Sequence, residues 1–371
     1  MRLLGLDIGT TGCKAIVFDA DGGVLGHGFR EYGVVCDAPA KAEQDAERVW
    51  ALTQEALREA VVQAGAGDTV RALSVSVQGD AILPVDRDFQ ALHPAILGMD
   101  YRSAAQAKRC EERFGAFELF QRTGMRPHPM NSLAKVLFLR ELAPQAFQRA
   151  WKIVTYADFI LGKLGADAVL DHTMASRTMA FDLATTQWDT EVHNALDLDP
   201  ALWSKPVPSG VIVGTLRPGL AAELGLPPQL ALVTGGHDQT CAGLGAGLVR
   251  EGLGVVSTGT AEVLSTAFDR PRLNRSMFEG FYPCYNHAKD VMYFTFGLNH
   301  TAGILLRWWR DQFASAEVAA AAARGVDPYQ LIDESLPDAP SPVFLVPHFN
   351  GSGTPSCDLE ARGAVVGLTL A

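Results

Sequence analysis

The sequence predicts an α/β protein built as two similar lobes facing each other across a cleft. Three observations carry that reading. The chain opens on two short apolar runs, residues 3–6 and 15–18, joined by the turn-forming stretch Asp7-Ile8-Gly9-Thr10-Thr11-Gly12. A second strand, Gly-Thr turn and strand occurs at residues 254–264, where Gly259-Thr260 falls on Gly9-Thr10 and Ser257 on Asp7. Elsewhere apolar runs of strand length alternate with helical stretches, the order expected of sheets covered by helices.

Taken in order, the opening runs form a buried hairpin, and Gly22-Gly23 turns into a third strand at 24–32. Glu43-Gln44-Asp45 precedes a helix over 46–64, whose Val49, Leu52, Ala56, Leu57, Ala60 and Val61 make one apolar stripe and which Gly65 and Gly67 end. Residues 70–77 alternate into a strand with Gln78-Gly79-Asp80 at its carboxyl end, where ligands sit in open α/β sheets. A short apolar run at 94–97 closes on Gly98-Met99-Asp100-Tyr101-Arg102. Residues 103–164 are mostly helical, with breaks at 124–129 and Pro144, and 151–161 continues the helical pattern. Residues 167–225 are turn-rich. A buried strand at 230–234 ends in Gly235-Gly236-His237-Asp238-Gln239, and a small-residue helix follows at 240–248. Beyond the second hairpin the pattern gives a strand at 292–296, helices at 301–313 and 317–324, and a strand at 343–347. Two domains are expected, residues 1–245 and 246–371.

With 371 residues, 48% of them hydrophobic and 20% charged, the chain has the make-up of a globular protein with sizeable cores. A net charge of −11 without Lys/Arg clusters argues against nucleic acid. No apolar run approaches the ~18 residues of a membrane span, and the opening run is too short for a signal peptide. The six cysteines lie far apart, which is neither metal-ligand spacing nor a disulfide frame. A cytoplasmic protein acting on small molecules, with a homodimer as one assembly open to it, is the expectation.

The chemistry follows from the turns. Gly9 and Gly12 let backbone N–H groups approach a ligand closely, and Thr10, Thr11 and Lys14 add donors of the kind phosphate oxygens require. Asp7, at a strand end, is placed to hold a divalent cation beside them. Phosphoryl transfer also needs a base for the acceptor hydroxyl. Asp238 is the candidate, although Asp before a helical stretch is equally an N-cap. Gln78, Asp80, Asp100 and Arg102 offer the mixed donors and acceptors that suit a polyol or sugar, though each read singly is equally a solvated loop residue. His237, Cys241 and the Trp308-Trp309 pair read as structural.

These pieces, in this order, resemble the FGGY family of carbohydrate kinases. Residues 6–14 are similar to its first phosphate hairpin, Ala42-Glu43-Gln44-Asp45 to the entry of its first helix, and Gly235 to Gln239 to the motif carrying its base. Ser257-Thr258-Gly259-Thr260 resembles the second hairpin, residues 302–308 a helix beside the nucleotide, and Thr354-Pro355, Ala361-Arg362-Gly363 and Gly367-Leu368-Thr369 its later signature. The resemblance implies a duplicated actin-like, ribonuclease-H-like fold and an ATP- and Mg²⁺-dependent kinase. It makes Asp238 the base and, with Asp7, a metal ligand; Gln78, Asp80, Asp100, Arg102 and Gln239 would meet the sugar. Gly9, Thr10, Thr11, Lys14, Thr258, Gly259, Thr260, Gly303 and Arg307 would meet ATP. A ketose, D-xylulose foremost, is the expected acceptor, with gluconate, ribulose, glycerol or a tetritol as rivals, and a non-catalytic sugar-binding remnant or a filament- or chaperone-type ATPase as other classes. Xylulokinase-like members usually carry Gln-Met-His-Gly where this chain has Gln78-Gly79-Asp80-Ala81, and Gly351-Ser352-Gly353 replaces a charged Gly-Glu-Arg. The chain ends just after Gly367-Leu368-Thr369, so the second lobe is expected to lack its adenine-binding subdomain.

Overall fold

A computed structural model describes residues 1–65 and 69–369, so the expected helix stop at Gly67 lies outside the described residues. The chain divides into two compact units. One comprises Met1–Glu251, Ala267–Arg275 and Pro283–Phe294; the other comprises Gly252–Thr266, Ser276–Tyr282 and Thr295–Ala371. The first unit thus takes in two segments from well beyond residue 245, which no composition shift marks.

The first unit is organised by a six-stranded sheet. Its order is Ile212–Thr215, Ala231–His237, Val70–Val77, β1 (Arg2–Ile8), β2 (Gly12–Phe18) and β3 (Val24–Glu31). The hairpin between β1 and β2 forms as the two apolar runs require, with Leu4, Leu6, Ile8, Cys13, Ala15 and Val17 buried. β1, Val70–Val77 and Ala231–His237 run parallel, and the outer strands are antiparallel. This is the mixed α/β fold the sequence predicts.

Helix α1 (Ala46–Ala64) covers one face. Asp45 caps it by accepting from the Arg48 N–H, and Gly65, at φ +66°, ends it in the left-handed conformation. Its buried stripe is Val49, Leu52, Ala56, Leu57, Ala60 and Val61, the residues the helical period selects. The helix closes on β3 because β3 has glycine where the two meet: a Cβ at Gly26 would lie 2.3 Å from the Ala60 carbonyl oxygen, and one at Gly28 2.1 Å from that of Ala56.

Two expectations fail locally. Residues 151–161 are not one helix: Lys152–Val154 is a strand pairing with Leu83–Val85, and the helix Tyr156–Leu164 begins only after Thr155, which forms a capping box with Asp158. Tertiary pairing here overrides a run that reads as helical. The turn-rich middle also holds a short helix, His172–Arg177, capped by Asp171 and buried along most of its length.

The second unit carries the second hairpin, Gly254–Thr258 paired antiparallel with the start of Glu262–Phe268. Helices Gly303–Phe313, Ser315–Arg324 and Pro328–Glu334 follow, then a two-stranded ladder of Phe344–Val346 and Ala364–Val366. Among the described residues no helix is long and apolar enough to cross a membrane.

Since backbone lies where the Gly28 side chain would go, Gly28→Ala must push α1 off the sheet. Urea unfolding is expected to show a loss of about 1–3 kcal/mol, and an unchanged midpoint would mean the helix has slack.

Candidate functional site

Three parallel strands end in one row. Ile8 stands opposite Val77, and Val77 opposite His237. The residues just past those ends, the 9–12 turn, Gln78-Gly79-Asp80 and Asp238, are therefore neighbours. The register between Thr234 and Gly236 shifts by a bulge at Gly235. Only glycine fits there, since a Cβ at Gly235 would lie 2.1 Å from the Val75 carbonyl oxygen. A cavity of about 280 Å³ opens at this edge, lined among others by Thr10, Gln78, Asp80, Arg177, His237 and Asp238.

Asp238 begins the helix Asp238–Gly245, and His237, not Asp238, holds the N-cap position. The Asp238 carboxylate accepts the Gln239 N–H at 2.6 Å and lies 3.1 Å from His237 Nε2, with its side chain 38% exposed. Surrounding protein strips away water and pushes its pKa up to about 6, with Arg177 opposing and the charges of Asp7 and Asp80 assisting. His237 is buried, and desolvation with Arg177 nearby holds its pKa far below the usual imidazole range, so it is neutral. Tyr285 Oη lies 3.3 Å from His237 Nδ1. The partners assign the tautomer: Nδ1 accepts from the phenol and Nε2–H donates to Asp238.

Asp80 is buried and left-handed at φ +65°, a conformation rare outside glycine. Its surroundings over-determine it. Arg177 clamps the carboxylate, Nε donating to Oδ1 at 3.1 Å and Nη2 to Oδ2 at 2.5 Å. Its carbonyl accepts from Lys135 Nζ at 3.0 Å and from Ser132 Oγ at 3.4 Å. Burial lowers the Lys135 pKa to about 8, and the charge of Asp80 limits the fall. Arg177 Nη1 is buried and has no hydrogen-bond partner.

The other expected residues divide. Gln78 lines the cavity, yet its amide serves the first hairpin: it accepts from Thr10 Oγ1 at 3.0 Å and donates to Gly9 O at 3.3 Å and Gln44 Oε1 at 3.2 Å. Gly9 N–H donates to Gly12 O across the turn at 2.9 Å, and Thr11 and Lys14 are exposed beside it. Asp7 faces Lys14 and Ser76 on the neighbouring strands and accepts from Ser76 Oγ at 2.9 Å; desolvation raises its pKa. Asp100 and Arg102 are not in the cavity wall. Arg102 bonds Asp100 and Glu43, and Asp100 also accepts the Ala42 N–H at 2.9 Å, so the group braces the segment entering α1. Gln239 is half-buried and also outside the wall.

In the second unit, Thr258 ends its strand, and the turn closes by Gly259 N–H donating to Ala261 O at 2.8 Å. Gly303 starts its helix against that turn, its N–H on Gly259 O at 2.8 Å, with Ala302 N–H on Thr260 O at 2.9 Å. Arg307, one turn further on, is exposed.

Sequence reasoning missed Arg177, Lys135 and Tyr285, and read His237 as structural. His237 adjoins the proposed base in the chain; Lys135 lies in a stretch that reads only as helical, Arg177 in the turn-rich middle, and Tyr285 between the elements the pattern marks.

The description "FGGY family of carbohydrate kinases, N-terminal domain" matches residues 2–245. A gluconokinase from Bacillus subtilis (strain 168) is 28% identical over 378 residues, 99% of this chain and 71% of that protein. A xylulose kinase from the same organism is 27% identical over 370 residues, again 99% and 71%. The crystal structure of Plasmodium falciparum glycerol kinase with ADP shares the fold, with a TM-score of 0.85 at 19% identity over 100% of this chain and 73% of that one.

A Cβ at Gly79 would lie 2.8 Å from His237 Nε2. Gly79→Ala is therefore expected to break the His237–Asp238 bond, read from the ring ¹⁵N shifts of His237; unchanged shifts would show that the ring has room to spare.

Proposed function

Because the chain belongs to the FGGY family of carbohydrate kinases, phosphotransferases with an alcohol group as acceptor, we propose that it transfers a phosphoryl group from ATP to a hydroxyl of a ketose, D-xylulose foremost. Gluconate, ribulose, glycerol and a tetritol are the competing acceptors. The observation that carries the reading is a half-exposed carboxylate on the cavity wall with a pKa near 6. A general base works best with a pKa near the working pH, and a positioned one is worth about 10²–10⁴ in rate.

In this reading Asp238 takes the proton from the acceptor hydroxyl. His237 donates to Oδ1 and leaves Oδ2 for the substrate. The Gly9–Gly12 turn, with Thr10, Thr11 and Lys14, serves the phosphates of ATP, and Thr258, Gly259, Thr260, Gly303 and Arg307 of the second unit are assigned to the nucleotide as well. Phosphoryl transfer needs positioning and charge neutralisation above all, which is what such turns provide. Asp7 and Asp238 would hold Mg²⁺. The fit is chemical: Asp238, with the negative charge of Asp7 acting on it, offers hard carboxylate oxygens to a cation that keeps most of its shell for water and phosphate. The ion would neutralise phosphate charge.

Two measurements test the role of Asp238. Asp238→Asn is expected to lower kcat by about 10²–10⁴, in an ADP-release assay over ketoses and polyols; full activity would remove this residue from the mechanism. The folded-state pKa of Asp238 lies above the unfolded value, so the stability its protonated form contributes is lost as pH rises through about 6 and the ionised carboxylate disfavours the fold. The inactive variant should therefore melt at a higher temperature than the parent at pH 7.5.

The second is the pH profile. The working form is ionised, so kcat/KM should fall tenfold per pH unit below about 6 and be flat above it. A profile flat down to pH 4.5 would exclude this base.

A further inference from the structure

We propose that the cavity beside Asp238 selects a neutral polyhydroxy acceptor and rejects a sugar acid, with Arg177 Nη1 donating to one of the acceptor's oxygens. The proposal rests on the kinase reading for the acceptor's place, and it concerns the acceptor's charge. Arginine recognises a carboxylate through two parallel N–H groups. In Arg177 one such edge is already occupied, Nε and Nη2 being held by the two oxygens of Asp80, which also balances its charge. What remains is the outer edge, where Nη1 makes no hydrogen bond, on a side chain only 4% exposed in a residue that lines the cavity, with the Tyr285 ring against the guanidinium at 5.0 Å. Donors whose charge Asp80 already balances suit a hydroxyl or carbonyl oxygen.

The other charges point the same way. Of the charged residues in the wall, Asp80 and Arg177 cancel, and Asp238 is left as a net negative charge. A further cation, Lys135, is turned to the carbonyls of Asp80 and Met130 and is not part of the wall. An aldonate would bring a second negative charge to Asp238 and find no unpaired cation to meet it. A polyol meets Asp238 as donor and Arg177 as acceptor with the same kind of group, since a hydroxyl does both. Discrimination here comes from an unpaired charge built against the wrong ligand. The names gluconokinase and xylulose kinase among the relatives divide on this property.

The test uses pairs of equal carbon number, D-gluconate with D-glucitol and D-xylonate with xylitol, alongside D-xylulose. Binding to the full chain is measured by calorimetry, and turnover separately by ADP release. The neutral member is expected to bind at least about tenfold more tightly in each pair. Asp80→Asn, which removes the charge balancing Arg177, should narrow that gap by about tenfold, and the wild-type comparison stands without it should the variant not fold. Aldonates binding as well as or better than their partners, or no member of any pair binding, overturns the proposal. Neutral ligands that bind while no ADP forms leave the charge assignment standing and defeat the kinase reading instead.

Discussion

The candidate site depends on strand register. β1, Val70–Val77 and Ala231–His237 run parallel, and their last residues, Ile8, Val77 and His237, pair across the ladder. A phosphate-type turn, a substrate-type loop and a carboxylate can share one edge only while that row holds. The bulge at Gly235 sets it, because the shift between Thr234 and Gly236 brings His237 level with Val77. A slip of one residue would turn every side chain of the strand to the other face. The alternating burial of Leu232 and Thr234 against the core resists such a slip. The geometry of the candidate site and the core packing are thus fixed by one ladder.

At the same edge lies the buried Asp80–Arg177 pair. Removing two charges from water is expensive, and an ion pair of this kind is weak evidence of stability by itself. Its oxygens and nitrogens are distributed unevenly. Both carboxylate oxygens of Asp80 are satisfied, its carbonyl is held from two sides, and Arg177 Nη1 is left without a hydrogen bond. Residues held in sparsely populated backbone conformations persist where the surroundings over-determine them, and they cluster where ligands bind. Asp80 meets that description, so its strain and the leftover donor of Arg177 both point to the cavity.

Much of this was legible in the sequence because it is local. The two hairpins, α1 with its caps and the strand ends at Val77 and Asp238 follow from period, glycine position and capping residues. Arg177 was not legible. It sits on a six-residue helix inside a proline-rich stretch, and its partner Asp80 is 97 residues away in the chain. Long-range ion pairs leave no periodic trace. The roles of Asp100 and Arg102 were obscured for the opposite reason. Two polar residues just after a short strand read as ligand contacts, but their charges find each other and Glu43. A residue's type announces what it can bond; only the fold decides what stands within reach.

Buried amides tie the turn of the first hairpin to the cavity. Thr10 Oγ1 donates to Gln78, Gln78 donates to Gln44 and Gly9, Gln44 donates to the Thr10 carbonyl at 2.6 Å, and Tyr156 Oη donates to Gln44 at 3.1 Å. Tyr32 Oη secures the Gly9 carbonyl from the other side at 2.8 Å. The turn therefore cannot move without disturbing buried amides, of which Gln78 lines the cavity. A network in which each amide has several partners is stiffer than its separate bonds would suggest. Transfer between two held groups is sensitive to displacements of about 1 Å. The polar groups of Gln78 and Gln44 thus act by fixing the turn to the cavity, and need not touch a ligand to matter.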